Sequence, residues 1–218
     1  MLCCVRFDAV LFDMDGLMFD TERLSGQIFA QVSREYGMII GPQEMALLRG
    51  RTYEAGRAAM AARFGPAVPY DEMMAKVWAE LVRQVTLQKP LKPGLLELLR
   101  HCRQRGIRCA VATSTNQAIV EKYLADMGLA EWYEAVICGD MVERSKPEPD
   151  IYLAAARALG VPPARCLVLE DSYNGMRAGA AAGCAAVMVP DLDPPTAEMR
   201  DIAYRVVDSL LDVIPLLD

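Results

Sequence analysis

Short apolar runs alternating with segments of helical spacing constrain this chain more than any other feature. Ala9-Val10-Leu11-Phe12, Ile107 to Ala112, Ala135 to Cys138, Cys166 to Leu169 and Ala185 to Val189 are each four to six residues of mainly branched or small apolar type. Runs of that length, bounded by polar or Gly/Pro positions, read as strands buried on both faces. Between them lie Leu95, Leu98, Leu99 and Cys102 before Gly106, then Ile119, Tyr123 and Met127 before Gly128, then Tyr152, Ala155, Ala156 and Leu159 before Gly160. Each of these helical segments stops at a glycine, the residue best suited to a left-handed terminus. Strands alternating with helices predict an α/β fold, a doubly wound (Rossmann-like) parallel sheet with right-handed crossovers.

One connection breaks the alternation. About 90 residues separate the first strand from the second, far more than one crossover helix needs. Leu24, Ile28, Val32 and Tyr36 recur every four residues, and Thr52 to Phe64 and Asp71 to Gln88 are also helix-like. An inserted helical bundle is the expected content of residues 17–88, with an α/β core made of residues 1–16 and 89–218. Lys89-Pro90-Leu91-Lys92-Pro93-Gly94 marks the return to that core.

Composition narrows the function. With 218 residues, 53% hydrophobic and 24% charged, the chain has the make-up of an ordinary globular protein and can bury a large core without disulfides. Twenty-nine acidic residues against 23 basic ones give a net charge of −6, which offers no basic surface to a nucleic-acid polymer. Arg6 and Asp8 place charges where a secretory signal would be apolar, and Ala178 to Pro190 is shorter than the ~20 residues that span a bilayer, so a cytoplasmic protein that does not engage membranes is expected. The seven scattered cysteines form no Cys-x-x-Cys pair and read as reduced packing residues. The single histidine, His101, excludes sites built from several imidazoles and reads as part of a solvated helix face. No heptad or self-pairing edge is visible, which makes a monomer the expectation.

Polar groups gather at the carboxyl ends of the expected strands. Asp13-Met14-Asp15-Gly16 follows the first, Thr113-Ser114 the second, Lys146 lies in the loop after the third, and Glu170-Asp171 ends the fourth. Singly, each has an ordinary reading as a turn former, a helix cap or a solvated charge. Together they line the edge of an open α/β sheet where ligands bind. Asp13, Asp15, Glu170 and Asp171 would crowd four carboxylates around one ammonium. Such a cluster must take up protons or recruit a cation. Oxygen-only ligands select a hard ion, and Mg²⁺ suits a site that also receives a phosphate.

Asp13-Met14-Asp15-Gly16, Thr113-Ser114, Lys146-Pro147-Glu148-Pro149-Asp150 and Leu169-Glu170-Asp171-Ser172 together resemble the four motifs of the haloacid dehalogenase superfamily. Asp20-Thr21-Glu22, opening the helical insert, resembles the subgroup with a helical cap, which includes phosphoglycolate phosphatases and β-phosphoglucomutases. The resemblance implies a Mg²⁺-dependent phosphatase acting on a small phosphorylated metabolite through an aspartyl-phosphate. It makes Asp13 the nucleophile and Asp15 the general acid and base. The metal would be held by the carboxylates of Asp13 and Asp171 and the backbone carbonyl of Asp15, with Glu170 either direct or acting through water. Thr113 and the amide of Ser114 would hold the phosphoryl oxygens, and Lys146 would offset negative charge. Arg49-Gly50-Arg51-Thr52 matches a cap loop that turns toward substrate in this subgroup, making Arg51 the candidate cap contact; a solvated arginine at a helix terminus is its ordinary alternative. Asp140, after the third strand, is expected to shape the loop that presents Lys146.

Other functions sharing this layout are disfavoured by particular residues. The similar sugar-phosphate mutases carry a histidine four residues after the threonine of the Asp-Thr pair, where this chain has Ser25. A dehalogenase needs neither Asp15 nor a magnesium cluster. A phospho-accepting receiver module places its aspartate after the third strand and has no helical insert. A catalytically silent interaction module is hard to reconcile with the presence of every expected site residue.

Overall fold

A computed structural model describes residues 6–41, 44–45 and 53–218. The chain divides into two compact units, one running to Asp20 and resuming at Pro90, the other covering Thr21–Lys89.

The first unit is built on a six-stranded parallel sheet: β1 (Ala9–Phe12), β2 (Arg108–Ala112), β3 (Ala135–Ile137), β4 (Cys166–Glu170), β5 (Ala185–Met188) and β6 (Arg205–Val206), in the order β3-β2-β1-β4-β5-β6. Around it lie α4 (Leu95–Arg105), α5 (Gln117–Asp126), α6 (Asp150–Leu159), α7 (Tyr173–Ala181) and α8 (Ala197–Ile202). β1 and β4 are buried along their whole length, as their apolar runs require. Ala9, Leu11, Ala110 and Val168 pack with Ile151, Tyr152, Ala155 and Leu159 of α6 into one core cluster. Helices α4 and α6 end at Gly106 and Gly160, both left-handed, as the glycine positions imply.

The strand order reverses direction between β1 and β4, and such a switch point opens a crevice at the carboxyl edge. Ala9 to Phe12 pair in register with Cys166 to Leu169. The next ladder bond, Asp13 N–H to the Leu169 carbonyl at 3.1 Å, places Asp13 beside the end of β4.

Two features escape the sequence reading. β6 is only two residues long, and a 3₁₀ segment, Leu210–Leu216, follows it. The apolar stretch from Ala178 to Pro190 is divided between the end of α7 and β5. Leu17, Met18 and Phe19 are buried in the first unit, where Phe19 meets the Tyr123 ring edge-on and Met18 Sδ accepts a hydrogen bond from Tyr133. There the outgoing and returning strands of chain pair: Asp20 N–H bonds the Pro90 carbonyl and Lys92 N–H the Met18 carbonyl, each at 2.8 Å.

The second unit is helical. In α1 (Thr21–Glu35), Leu24, Ile28 and Val32 are buried; in α3 (Tyr70–Gln88), Met73, Val77, Leu81 and Val85 are, and these two helices pack together. Between them lies α2 (Tyr53–Phe64). Tyr36 falls just past α1 and hydrogen-bonds Glu72 at 2.7 Å. Among the described residues no helix is long and apolar enough to cross a membrane.

Candidate active site

The loop between β3 and α6 carries Lys146 into the crevice. It is closed by a two-bond pairing of Arg144 with Asp150, at 3.0 and 2.6 Å, and by a turn in which Glu148 N–H bonds the Ser145 carbonyl. An ammonium has three protons. Those of Lys146 meet Asp13 Oδ1 at 2.5 Å, Glu170 Oε1 at 2.6 Å and the Ala112 carbonyl at 3.1 Å. The ends of β1, β2 and β4 are thus tied to one buried cation.

Glu170, the last residue of β4, is 0% exposed. Its Oε1 accepts from Lys146 and, at 2.6 Å, from the Tyr152 phenol; its Oε2 accepts from the Ser172 amide at 3.1 Å and hydroxyl at 2.9 Å. These donors take up the ordinary acceptor capacity of a carboxylate. Tyr152 also sets its ring 5.1 Å from the Lys146 ammonium. Gly175, in the first turns of α7, leaves room for this arrangement, because a Cβ there would stand 1.7 Å from Glu170 Oε1.

Carboxylate oxygens of Asp13, Glu170 and Asp171 lie within 4.8 Å of one another. Gly16 makes space for the third: its φ of +82° is left-handed, and a Cβ would come within 2.1 Å of Asp171 Oδ2. Burial pushes the Asp13 carboxyl up from 3.8 to about 8, with Glu170 and Asp15 adding to the rise and Lys146 opposing it. For Lys146, burial works against the charge, but Asp13 and Glu170 outweigh it and raise its pKa, so the ammonium persists. Burial and the negative charge of Glu170 hold the Tyr152 phenol well above its usual range, which keeps it a donor. Asp13, Glu170 and Asp171 together offer an all-oxygen donor set of the kind that fits a hard divalent ion.

The Asp15 carboxylate takes a separate path. Its Oδ2 accepts a 2.6 Å hydrogen bond from Thr115 Oγ1. Thr113 is buried, and its hydroxyl oxygen accepts the Thr115 amide at 3.1 Å. Ser114 is exposed beside it. The close approach of Gly139 holds this segment, since a Cβ there would lie 2.2 Å from the Ser114 carbonyl oxygen.

The structure therefore gathers Asp13, Lys146, Glu170 and Asp171 at one point and carries Asp15, Thr113 and Ser114 on the adjoining strand ends. Arg51 lies outside the described residues. Asp140 accepts the Gln117 amide at 3.2 and 3.3 Å and so ties the turn after β3 to the start of α5. Sequence reasoning missed Tyr152, which helical spacing assigned to the core, and Thr115, which the polar run after β2 does not distinguish from its neighbours.

Over residues 7–183 the chain matches the family described as haloacid dehalogenase-like hydrolase. It is 32% identical, over 94% of its length, to the bifunctional riboflavin kinase/FMN phosphatase of Arabidopsis thaliana, and spans only 54% of that protein. It is 33% identical to the fructose-1-phosphate phosphatase YqaB of Escherichia coli, with 84% of this chain and 97% of that protein covered. The crystal structure of CbbY from Rhodobacter sphaeroides in complex with phosphate is similar at a TM-score of 0.76 and 30% identity, covering 95% of this chain and 96% of that one. A parallel sheet of this order, with acidic and basic groups meeting at its switch point, accords with these likenesses: the chain belongs to the haloacid dehalogenase-like hydrolase family.

Proposed function

We propose that this hydrolase is a Mg²⁺-dependent phosphatase that cleaves a small organic phosphomonoester through an aspartyl-phosphate on Asp13. The observation that carries the reading is the convergence of Asp13, Glu170 and Asp171 oxygens within 4.8 Å of one another, two of these residues paired with the Lys146 ammonium, with a second carboxyl, Asp15, two residues beyond the first.

An Asp13 carboxylate oxygen attacks phosphorus, and the bond from phosphorus to the ester oxygen breaks. Asp15 gives its proton to the departing alkoxide. It then takes a proton from the water that attacks the aspartyl-phosphate, releasing inorganic phosphate and restoring Asp13. Lys146 neutralises charge on Asp13 and on the transferring group, while Thr113 and the Ser114 amide hold phosphoryl oxygens. The carboxylates of Asp13 and Asp171 and the backbone carbonyl of Asp15 would hold the ion, with Glu170 completing the acidic set. When bound, the ion supplies positive charge to the phosphoryl oxygens and favours the ionised form of Asp13.

The helical unit, Thr21–Lys89, is proposed as the cap that shapes the leaving-group pocket, with Arg51 as its substrate contact. Relatives named for fructose-1-phosphate and FMN make phosphorylated sugars and other small metabolites the substrate class to test first. Ser25, standing where the similar mutases carry a histidine, favours hydrolysis over phosphoryl return to a sugar. Buried thiols at Cys102, Cys109, Cys138 and Cys166 accord with work in a reducing, cytosolic compartment, and a monomer remains the proposed state.

A screen of phosphorylated metabolites with Mg²⁺, scoring both released phosphate and isomerised product, tests the reading. Phosphate release from at least one small ester, abolished in Asp13→Asn, is the expected result. Isomerisation without net phosphate release would replace the phosphatase reading with the mutase one.

A further inference from the structure

We propose that Thr115 is the positioning residue for Asp15, fixing which of its two carboxyl oxygens exchanges the proton during turnover. The inference rests on the acid–base role proposed for Asp15 and deepens it.

The two residues are 100 apart in sequence, and the paired strands β1 and β2 bring them together so that Thr115 Oγ1 donates to Asp15 Oδ2 at 2.6 Å. Thr115 is itself held at both ends of its peptide unit. Its amide donates to Thr113 Oγ1 at 3.1 Å, and its carbonyl accepts the Gly139 amide at 3.1 Å. Gly139 also backs onto the Ser114 carbonyl, so close that a Cβ would stand 2.2 Å from its oxygen. The hydroxyl is thus presented from a segment with little freedom to follow a moving carboxylate.

A hydroxyl has one proton to give, and a neutral carboxyl carries its own proton on one oxygen only. While Thr115 donates to Oδ2, a second proton on Oδ2 would face the first across a short contact. The bond at Oδ2 thus assigns Asp15 Oδ1 as the oxygen that exchanges the proton. In the first half-reaction the Oδ1–H bond breaks, and that proton passes to the alkoxide released from phosphorus. In the second, Oδ1 takes a proton from the attacking water. Oδ2 keeps its bond to Thr115 throughout, and nothing is oxidised or reduced. A general acid must reach the leaving oxygen within hydrogen-bond distance, so a carboxyl free to rotate would spend part of its time with the proton misdirected.

The test compares wild type, Thr115→Val, Thr115→Ser and Asp15→Asn, each checked for an unchanged fold by circular dichroism. Each is assayed with Mg²⁺ on an alkyl phosphate, whose leaving group needs a proton, and on 4-nitrophenyl phosphate, whose leaving group does not. Thr115→Val should lose about tenfold or more on the alkyl ester, a fraction of the full general-acid contribution. On 4-nitrophenyl phosphate it should retain the first-turnover burst of nitrophenol, and Thr115→Ser should restore the alkyl rate. Equal losses of the first-turnover rate on both esters, or a serine variant as impaired as valine, would overturn the positioning role. If Asp15→Asn also shows no dependence on the leaving group, the failure lies in the acid–base assignment of Asp15, and the inference falls with it.

Discussion

Tyr152 Oη and Glu170 Oε1 lie 2.6 Å apart, both fully buried, and that same carboxylate oxygen receives the Lys146 ammonium. The phenol thus sits one bond removed from the ion pair that reaches Asp13. Removing it with Tyr152→Phe keeps the ring and deletes one hydrogen bond to a charged acceptor, worth about 1.5–3 kcal/mol. The urea midpoint should fall accordingly. Turnover should drop by up to about 100-fold as Lys146 loses its fixed partner, the scale expected for a misplacement near 1 Å. An unchanged midpoint would mean that Glu170 is satisfied equally well without the phenol.

The ionisation of Asp13 makes stability depend on pH when no ion is present. Its pKa is raised from 3.8 to about 8 in the fold, chiefly by burial, so the native state binds a proton that the unfolded chain has already released. The associated stability is fully present below 3.8 and is lost as pH rises through about 8. Lys146, raised in pKa by Asp13 and Glu170 despite its burial, stays protonated across this window and adds no slope there. Denaturation in chelator should therefore show wild type weaker at pH 9 than at pH 6. Asp13→Asn, which cannot ionise, should flatten that difference while abolishing turnover.

Gly16 faces two penalties on substitution by alanine. Its φ of +82° disfavours any side chain, at about 1–2 kcal/mol, and the new Cβ would lie 2.1 Å from Asp171 Oδ2. Asp171 must then swing away from the acidic cluster. Gly16→Ala should raise the Mg²⁺ concentration needed for half-maximal activity by about 10- to 100-fold, the usual scale for disturbing the support of a metal ligand. A magnesium titration of activity in wild type and variant decides it; matching curves would detach Asp171 from the ion.

Strands buried on both faces are the most legible part of such a sequence, because an unbroken apolar run has few other uses; β1 and β4 were readable within a residue. The candidate site residues Asp13 and Glu170 are placed by where those runs stop, and Thr113 by the end of β2. What could not be read was the direction of single polar atoms. Tyr152 fits the apolar stripe of α6, and nothing in its spacing announces that its hydroxyl reaches Glu170. Thr113, Ser114 and Thr115 are three hydroxyls in a row, and only the packing of Gly139 against Ser114 settles which of them meets Asp15. Asp140 follows a strand end as the site residues do, yet its oxygens turn to the Gln117 amide. β6, two residues long, is too short for any period to register.

The ammonium of Lys146 has a consequence for how the protein tolerates the loss of its ion. With Asp13 Oδ1, Glu170 Oε1 and the Ala112 carbonyl all engaged by one internal cation, the folded crevice carries its own counter-charge. Stripping divalent ions near neutral pH should silence catalysis yet shift the melting temperature by only a few degrees, in contrast to small domains whose folding is metal-driven. Magnesium would then be a replaceable reagent rather than a strut, and the protein should survive purification and storage without it, regaining full activity on its return.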